Sequence, residues 1–377
     1  NRPEFTSHLL LSDNEILELG IRSCDVELYR RKHYQAKFGI DTWYDSLSQH
    51  TFRTSSIPLQ YETGNAITQK FYAKSLTESQ ELLLQNLEAS IDAVAQKEFP
   101  NGFFIKLNTR SPKDVPVYAF ENPKVQQLVI EEIEKLDKKD LTENNEVIAF
   151  IKATNKAMKL RTGKEAVQLL TASTRICEDL NKVLQFPAYL FDCKLILREW
   201  LDEVAEHPEG EFRCFVHKNS LNAITQYFCF SYFEHLVKNK DKVQNQIVTF
   251  FNSVKDKLQT HCSYVVDFFV LPDRVLIIEL NPFHSGAGSG LFSWRDHREL
   301  FMNGPLEFRV VEQPTNSKEV IPAYWQRFID SRFHPNKLSE EDEEEEEERM
   351  IPKFWPWTVV AVMLMGVFVY KRYLSNK

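Results

Sequence analysis

Asp267, Glu279 and Asn281 are the residues of this 377-residue chain whose types and spacing could do chemistry together. They lie in YVVDFFVLPDRVLIIELNP, Tyr264 to Pro282, two apolar runs separated by a Leu-Pro-Asp-Arg turn, a pattern that predicts a β-hairpin. With the turn centred near Pro272 and Asp273, counting back puts Asp267 opposite a residue next to Glu279, and side chains paired across strands stand about 5 Å apart. Asn281 shares the face of Glu279 because side chains alternate along a strand. Two carboxylates this close repel each other and lose hydration unless a positive charge offsets both costs. A Mg²⁺ ion that bridges them to phosphate oxygens does so. The trio therefore predicts a Mg-nucleotide site. On the hairpin alone it fits equally well a strand end where Asp267 closes a turn or meets a Lys while Glu279 and Asn281 face water.

Other charged residues stand in apolar surroundings. Lys106 sits within FFIKL and must reach water or an anion, whether as a phosphate contact or as an edge-strand guard. Arg213 interrupts EFRCFV in the same way. RTGKE, Arg161 to Glu165, precedes a helical run and offers N–H groups and a cation to a phosphate, although it lacks a full phosphate-loop pattern. The glycine-rich GAGSG at Gly286 is weak evidence for phosphate binding.

The elements that must position these groups follow in order. Two helices are predicted in residues 1–39, an N-terminal extension. Trp43 and Tyr44 read as an exposed aromatic pair, a partner anchor or a pair packed on its own core. Pro58 confines the following extended segment to a sheet edge. Thr77 opens a helix with a Thr-x-x-Gln capping box. Residues 120–160 are charged and read as a solvated insertion. A hairpin of EFRCFV and LNAITQ, a helical region over 232–259 and the Tyr264 hairpin give a β-β-α-β-β order.

Hydrophobic residues make up 43% of the chain, enough for a substantial core. Nine consecutive acids from Glu340 to Glu348 account for the net charge of −8, so the rest is close to neutral and lacks the basic footprint of a nucleic-acid binder. Six cysteines form no CxxC pair and read as reduced core residues. Residues 336–350 read as an acidic disordered linker. Residues 351–371 are almost uncharged, with Trp355, Trp357 and Tyr370 near the ends, and reach the roughly 20 residues needed to cross a bilayer. The expectation is a tail anchor with the fold facing the cytosol. The mitochondrial outer membrane is favoured and the endoplasmic reticulum is the alternative.

WYDSLSQHTFRTSSIPL, FFIKLNTRSPKDV, TGKEAVQLLTASTRICEDL, LILREW, EFRCFVHKNSLNAITQ and VVDFFV with VLIIELNPF resemble, in order, the motifs of the cell division cycle protein 123 family. The resemblance implies an α+β, ATP-grasp-like fold over residues 40–335, two α/β subdomains with nucleotide between them. The C-terminal transmembrane helix would be added to it. By this resemblance Lys106 and Arg213 contact phosphate, and Thr162, Gly163, Lys164 and Glu165 cover it. Arg198, Glu199, Trp200 and Leu201 form the hinge that holds adenine, and Asp267, Glu279 and Asn281 hold Mg²⁺. Trp43 and Tyr44 fall in its partner-facing region. Three departures stand out: Thr171 and Tyr227 replace a Lys and an Arg of the family pattern, and Thr109 replaces a Trp. Each lost charge-assisted contact to phosphate is worth about 1.5 to 3 kcal/mol unless Lys164 or Arg175 substitutes. Glu279 in place of Asp keeps the carboxylate.

The resemblance implies an ATP- and Mg²⁺-binding assembly factor for translation initiation factor two, acting on its gamma subunit without efficient turnover. The alternatives are an ATP-grasp carboxylate-amine ligase and a nucleotide-free, membrane-tethered adaptor. No catalytic residue is assigned.

Overall fold

The computed structural model describes residues 11–72, 75–258, 262–314 and 317–334. Its strands are β1 (Thr54–Pro58), β2 (Phe103–Leu107), β3 (Lys194–Glu199), β4 (Glu211–His217), β5 (Ser220–Gln226), β6 (Tyr264–Val270), β7 (Val275–Pro282) and β8 (Glu307–Arg309). They form two sheets, one of order β1-β3-β2 and one of order β7-β6-β4-β5-β8. Pro58 ends an edge strand, where its missing N–H costs no ladder bond.

The first sheet packs its apolar residues, among them Phe103, Ile105, Leu195 and Leu197, against the helices Tyr61–Phe71, Glu78–Glu98 and Gly163–Ala172. Thr77 and Gln80 close the predicted capping box of the second helix. In the second sheet, alternation sends Phe212, Cys214, Val266 and Phe268 to a core shared with the helix Lys240–Val254. Arg213 and Asp267 fall on the other face with Phe215 and Val265, and the ladder pairs Arg213 with Asp267.

The 120–160 segment differs from expectation. Helices Pro123–Glu134 and Glu143–Lys156 enclose a third core with Ala323–Phe333, centred on fully buried Trp325. The indole N–H of Trp325 donates to Val117 O at 2.8 Å. The charges that mark the segment as solvated lie mostly on the outer helix faces, while Val125, Val129, Ile133, Val147, Phe150 and Ile151 face inward.

Among the described residues no helix is long and apolar enough to cross a membrane. The described fold is mixed α+β and gives no support to the expected C-terminal transmembrane helix or to the tail-anchored localisation that rested on it. The acidic linker from Glu340 and the apolar stretch 351–371 lie outside the described residues.

Candidate functional site

The site grows from a register shift. Val270 pairs with Val275 and Phe268 with Ile277, so regular counting would set Asp267 opposite Ile278. A bulge between Asp267 and Phe268 absorbs one residue and puts Glu279 directly opposite Asp267. The predicted juxtaposition of carboxylates is tighter than counting gives.

Each carboxylate meets a cation. Arg213 donates from Nε and Nη2 to the two oxygens of Asp267 at 2.8 and 2.7 Å, a bidentate pair on a fully buried acid. Lys106 reaches from the first sheet to Glu279 Oε2 at 3.1 Å. Asn281 Nδ2 donates to Glu279 Oε1 at 3.4 Å, which leaves its own Oδ1 for another partner. Burial pushes the Glu279 carboxyl up, but Lys106, Lys113 and Arg213 outweigh it and hold the group well below the usual carboxylate range. Burial lowers the Lys106 ammonium, with Glu279 opposing. Two carboxylates and an amide oxygen are hard donors of the kind Mg²⁺ takes, and Glu279 and Asn281 keep lone pairs free for it.

Arg198 does something the sequence did not indicate. Its side chain is buried and donates to Ile278 O at 2.7 Å, Ile277 O at 3.3 Å and Thr51 Oγ1 at 2.6 Å, tying β3 to the bulge of β7. Residues 198–201 line an apolar slot of about 120 Å³ with Phe52, Phe104, Met158 and Ile278. Glu199 accepts from Arg53 N at 2.7 Å, and the Trp200 indole donates to Asp202.

The RTGKE loop is less available than its sequence implies. Thr162 and Glu165 form a capping box at the start of Gly163–Ala172, and Gly163 N donates to Asp92 at 2.6 Å. A Cβ on Gly163 would come within 2.0 Å of Glu88 O, so the loop is pressed against the helix Glu78–Glu98. Lys164 is exposed. Trp43 is a correction: it is 3% exposed and packs in the core of the second sheet, so it presents no anchor at the surface. Tyr44 is half-buried, and its hydroxyl accepts from Thr54 N.

Four further residues join the site. Lys113, within the RSPKD turn, lies 3.8 Å from Glu211. Tyr227 presents its ring to Lys113 Nζ at 5.0 Å and to the Arg213 guanidinium at 5.1 Å. Arg175, from the helix Thr174–Val183, lines the same cavity as these three. Glu211 is pushed up to about 7, chiefly by burial and by Asp267 and Glu279, against the pull of Lys113. The available signal was a Lys and a Glu within motifs already singled out, FFIKLNTRSPKDV and EFRCFV.

The sequence pattern of the D123 family matches residues 43–353. A CDC123-like protein of Acanthamoeba polyphaga mimivirus is 28% identical over 315 residues, 78% of this chain and 80% of its own length. A protein of Dictyostelium discoideum named translation initiation factor eIF2 assembly protein is 33% identical over 130 residues; that match spans 34% of this chain and a third of the relative. Among solved structures, Cdc123 from Schizosaccharomyces pombe superposes with a TM-score of 0.51 at 22% identity, covering 74% of this chain and 97% of that one. This last likeness is one of fold.

Proposed function

Because the chain belongs to the D123 family, we propose that it is an assembly factor for translation initiation factor eIF2 whose cleft between the two sheets binds Mg-ATP as a structural ligand. Relatives named for eIF2 assembly support the first part. The second part rests on one observation: Lys106 and Arg213 converge on the opposed carboxylates Glu279 and Asp267, beside an apolar slot lined by residues 198–201.

The charge balance suits an exchange. Glu279, Asn281 and Asp267 would hold Mg²⁺, which supplies neutralisation of phosphate charge when bound. Lys106, and Arg213 in part, would then turn from carboxylate to phosphate. The slot would take the adenine, since Phe52, Phe104 and Ile278 give it flat apolar walls. The Lys and Arg missing at Thr171 and Tyr227 are answered in part by Lys113, which lines the slot. A ligand that binds only the folded form stabilises it by mass action, so no turnover is needed. The partner surface would be for the gamma subunit of eIF2, as the family resemblance implies.

Calorimetric titration of Mg-ATP into the full chain tests the cleft. Micromolar binding that Lys106→Ala and Asp267→Ala each weaken by about tenfold or more supports the reading, the loss of one charge-assisted contact being worth that much. Absence of binding by the folded wild-type chain sinks the nucleotide part. Co-precipitation with the isolated gamma subunit tests the assembly part separately, and failure there leaves the nucleotide site standing.

A further inference from the structure

Beside Arg213 and Lys113 lies a second cavity of about 120 Å³, built differently from the slot. Val147, Phe150, Ile151, Phe228, Phe230 and Val320 supply an apolar wall. Val147, Phe150 and Ile151 are at most 6% exposed and belong to the third core, whose edge forms this wall. Three cations, Lys113, Arg175 and Arg213, close its polar end, and no Asp or Glu lines it.

The three cations are not equally satisfied. Arg213 is matched by Asp267, and Lys113 has Glu211 at 3.8 Å. Among the described residues no carboxylate pairs with the Arg175 guanidinium, and its Nε is buried without a hydrogen-bond partner. Its charged neighbour Arg110 is held by Asp179 at 3.2 Å and repels it. Asp114 and Glu279 attract it without a direct ion pair, and a largely desolvated cation lacking one is costly. A void against apolar walls also forgoes packing contacts. A phosphate reaching Arg175 from the slot would answer the charge and leave the wall bare. Both costs fall together only for an anion that carries its own apolar body.

We propose that this cavity is a second ligand site, for a small organic carboxylate on an apolar chain or ring, its carboxylate on Arg175 and Lys113 and its apolar part against Phe150, Ile151 and Phe230. The wall comes largely from the helix Glu143–Lys156, while the Asp267, Glu279 and Asn281 trio lies on the hairpin. The two cavities adjoin and share Lys113, Asn155 and Met158, but Arg175 and the apolar wall line this one alone, so the site does not need the nucleotide reading.

Calorimetry on the full chain tests it with octanoate and phenylacetate as probes, and with octanol and inorganic phosphate as the apolar and the charged half alone. At least one carboxylate is expected to bind about tenfold or more tightly than either half. Arg175→Met should weaken it by about tenfold, with partial recovery in Arg175→Lys. Thr154→Phe, which projects a ring into the cavity, should abolish carboxylate binding. The wild-type comparison stands even if a variant fails to fold. Binding of neither carboxylate, phosphate binding as tight as either, or carboxylate binding unmoved by both Arg175→Met and Thr154→Phe overturns the proposal. Mg-ATP titrated in parallel separates the two sites: a chain that binds ATP and no carboxylate loses this inference alone, and the reverse loses only the nucleotide reading.

Discussion

Glu211, at the start of β4, is the point where the charge balance of the cleft can be titrated. It is 8% exposed, and burial together with Asp267 and Glu279 raises its carboxyl to about 7 against the pull of Lys113 and Arg213. Its folded value lies above the ordinary 4.5, so the folded state holds the proton more tightly. That contribution is complete below the unfolded value and is lost as pH rises through about 7. Glu211→Gln removes the loss. Measured by urea unfolding across that range, the variant should gain on wild type by about 3 kcal/mol. Parallel pH profiles would refute the shift. Legibility at this scale followed the reach of local rules. Asp267, Glu279 and Asn281 could be found because strand alternation and hairpin counting act within a few residues. Lys113 could not be ranked as a site residue, since what defines it is Tyr227 and Glu211, far away in sequence, and Arg175 could be named only as a possible substitute cation. For Trp43 the sequence left two readings open, anchor or core, and the core one holds; the cluster it joins includes Val266 and Phe268, more than two hundred positions on.

Among the elements, β3 and β7 belong to different sheets and are joined by one side chain. Among the described residues Arg198 has no carboxylate partner; carbonyl oxygens of Ile277 and Ile278 and the Thr51 hydroxyl take its Nη1 and Nη2, its Nε is left buried without a partner, and burial brings its guanidinium down to about 10, still charged at neutral pH. Arg198→Met would take the side-chain donor from Ile278 O at the bulge that aims Glu279, while Ile277 O keeps the Thr51 hydroxyl. The expected loss is about 1–3 kcal/mol by chemical denaturation, the cost of one unsatisfied buried group. A loss below half a kcal/mol would mean water replaces the clamp. The third core is where element-level reading failed. Helices Pro123–Glu134 and Glu143–Lys156 carry charge on their outer faces, and the residue that completes their core, Trp325, comes from a helix about 170 positions later. Trp325→Ala should cost about 3–5 kcal/mol, as large aromatic truncations in cores do. An unchanged unfolding midpoint would show that the three helices do not depend on it. The two hairpins and the Thr77 capping box, by contrast, were legible because turn chemistry and alternation determine them locally.

Across the cleft the two sheets are joined by polar contacts, chiefly Lys106 to Glu279 and Arg198 to β7, and by apolar ones such as Phe52 with Phe269 and Leu276. Apolar packing supports each sheet on its outer helices, so the facing surfaces are where a ligand can change the balance. If Mg-ATP binds there as proposed, it releases Lys106 from Glu279 and bridges the sheets through phosphate and metal instead. The stabilisation should then follow ligand concentration, about 2.7 kcal/mol at a hundredfold excess over the dissociation constant. Thermal unfolding of the full chain with ATP and Mg²⁺ reads this directly, and adding EDTA supplies the decisive arm. Without the ion, the phosphates face Asp267 and Glu279 with like charge, so the gain should disappear although ATP is still present. Lys106→Met should blunt the gain in the presence of Mg²⁺, because the phosphate loses its cation from the first sheet. A melting temperature that rises with ATP equally in EDTA and in Lys106→Met would place the nucleotide away from the hairpin carboxylates. The cleft would then serve the fold alone.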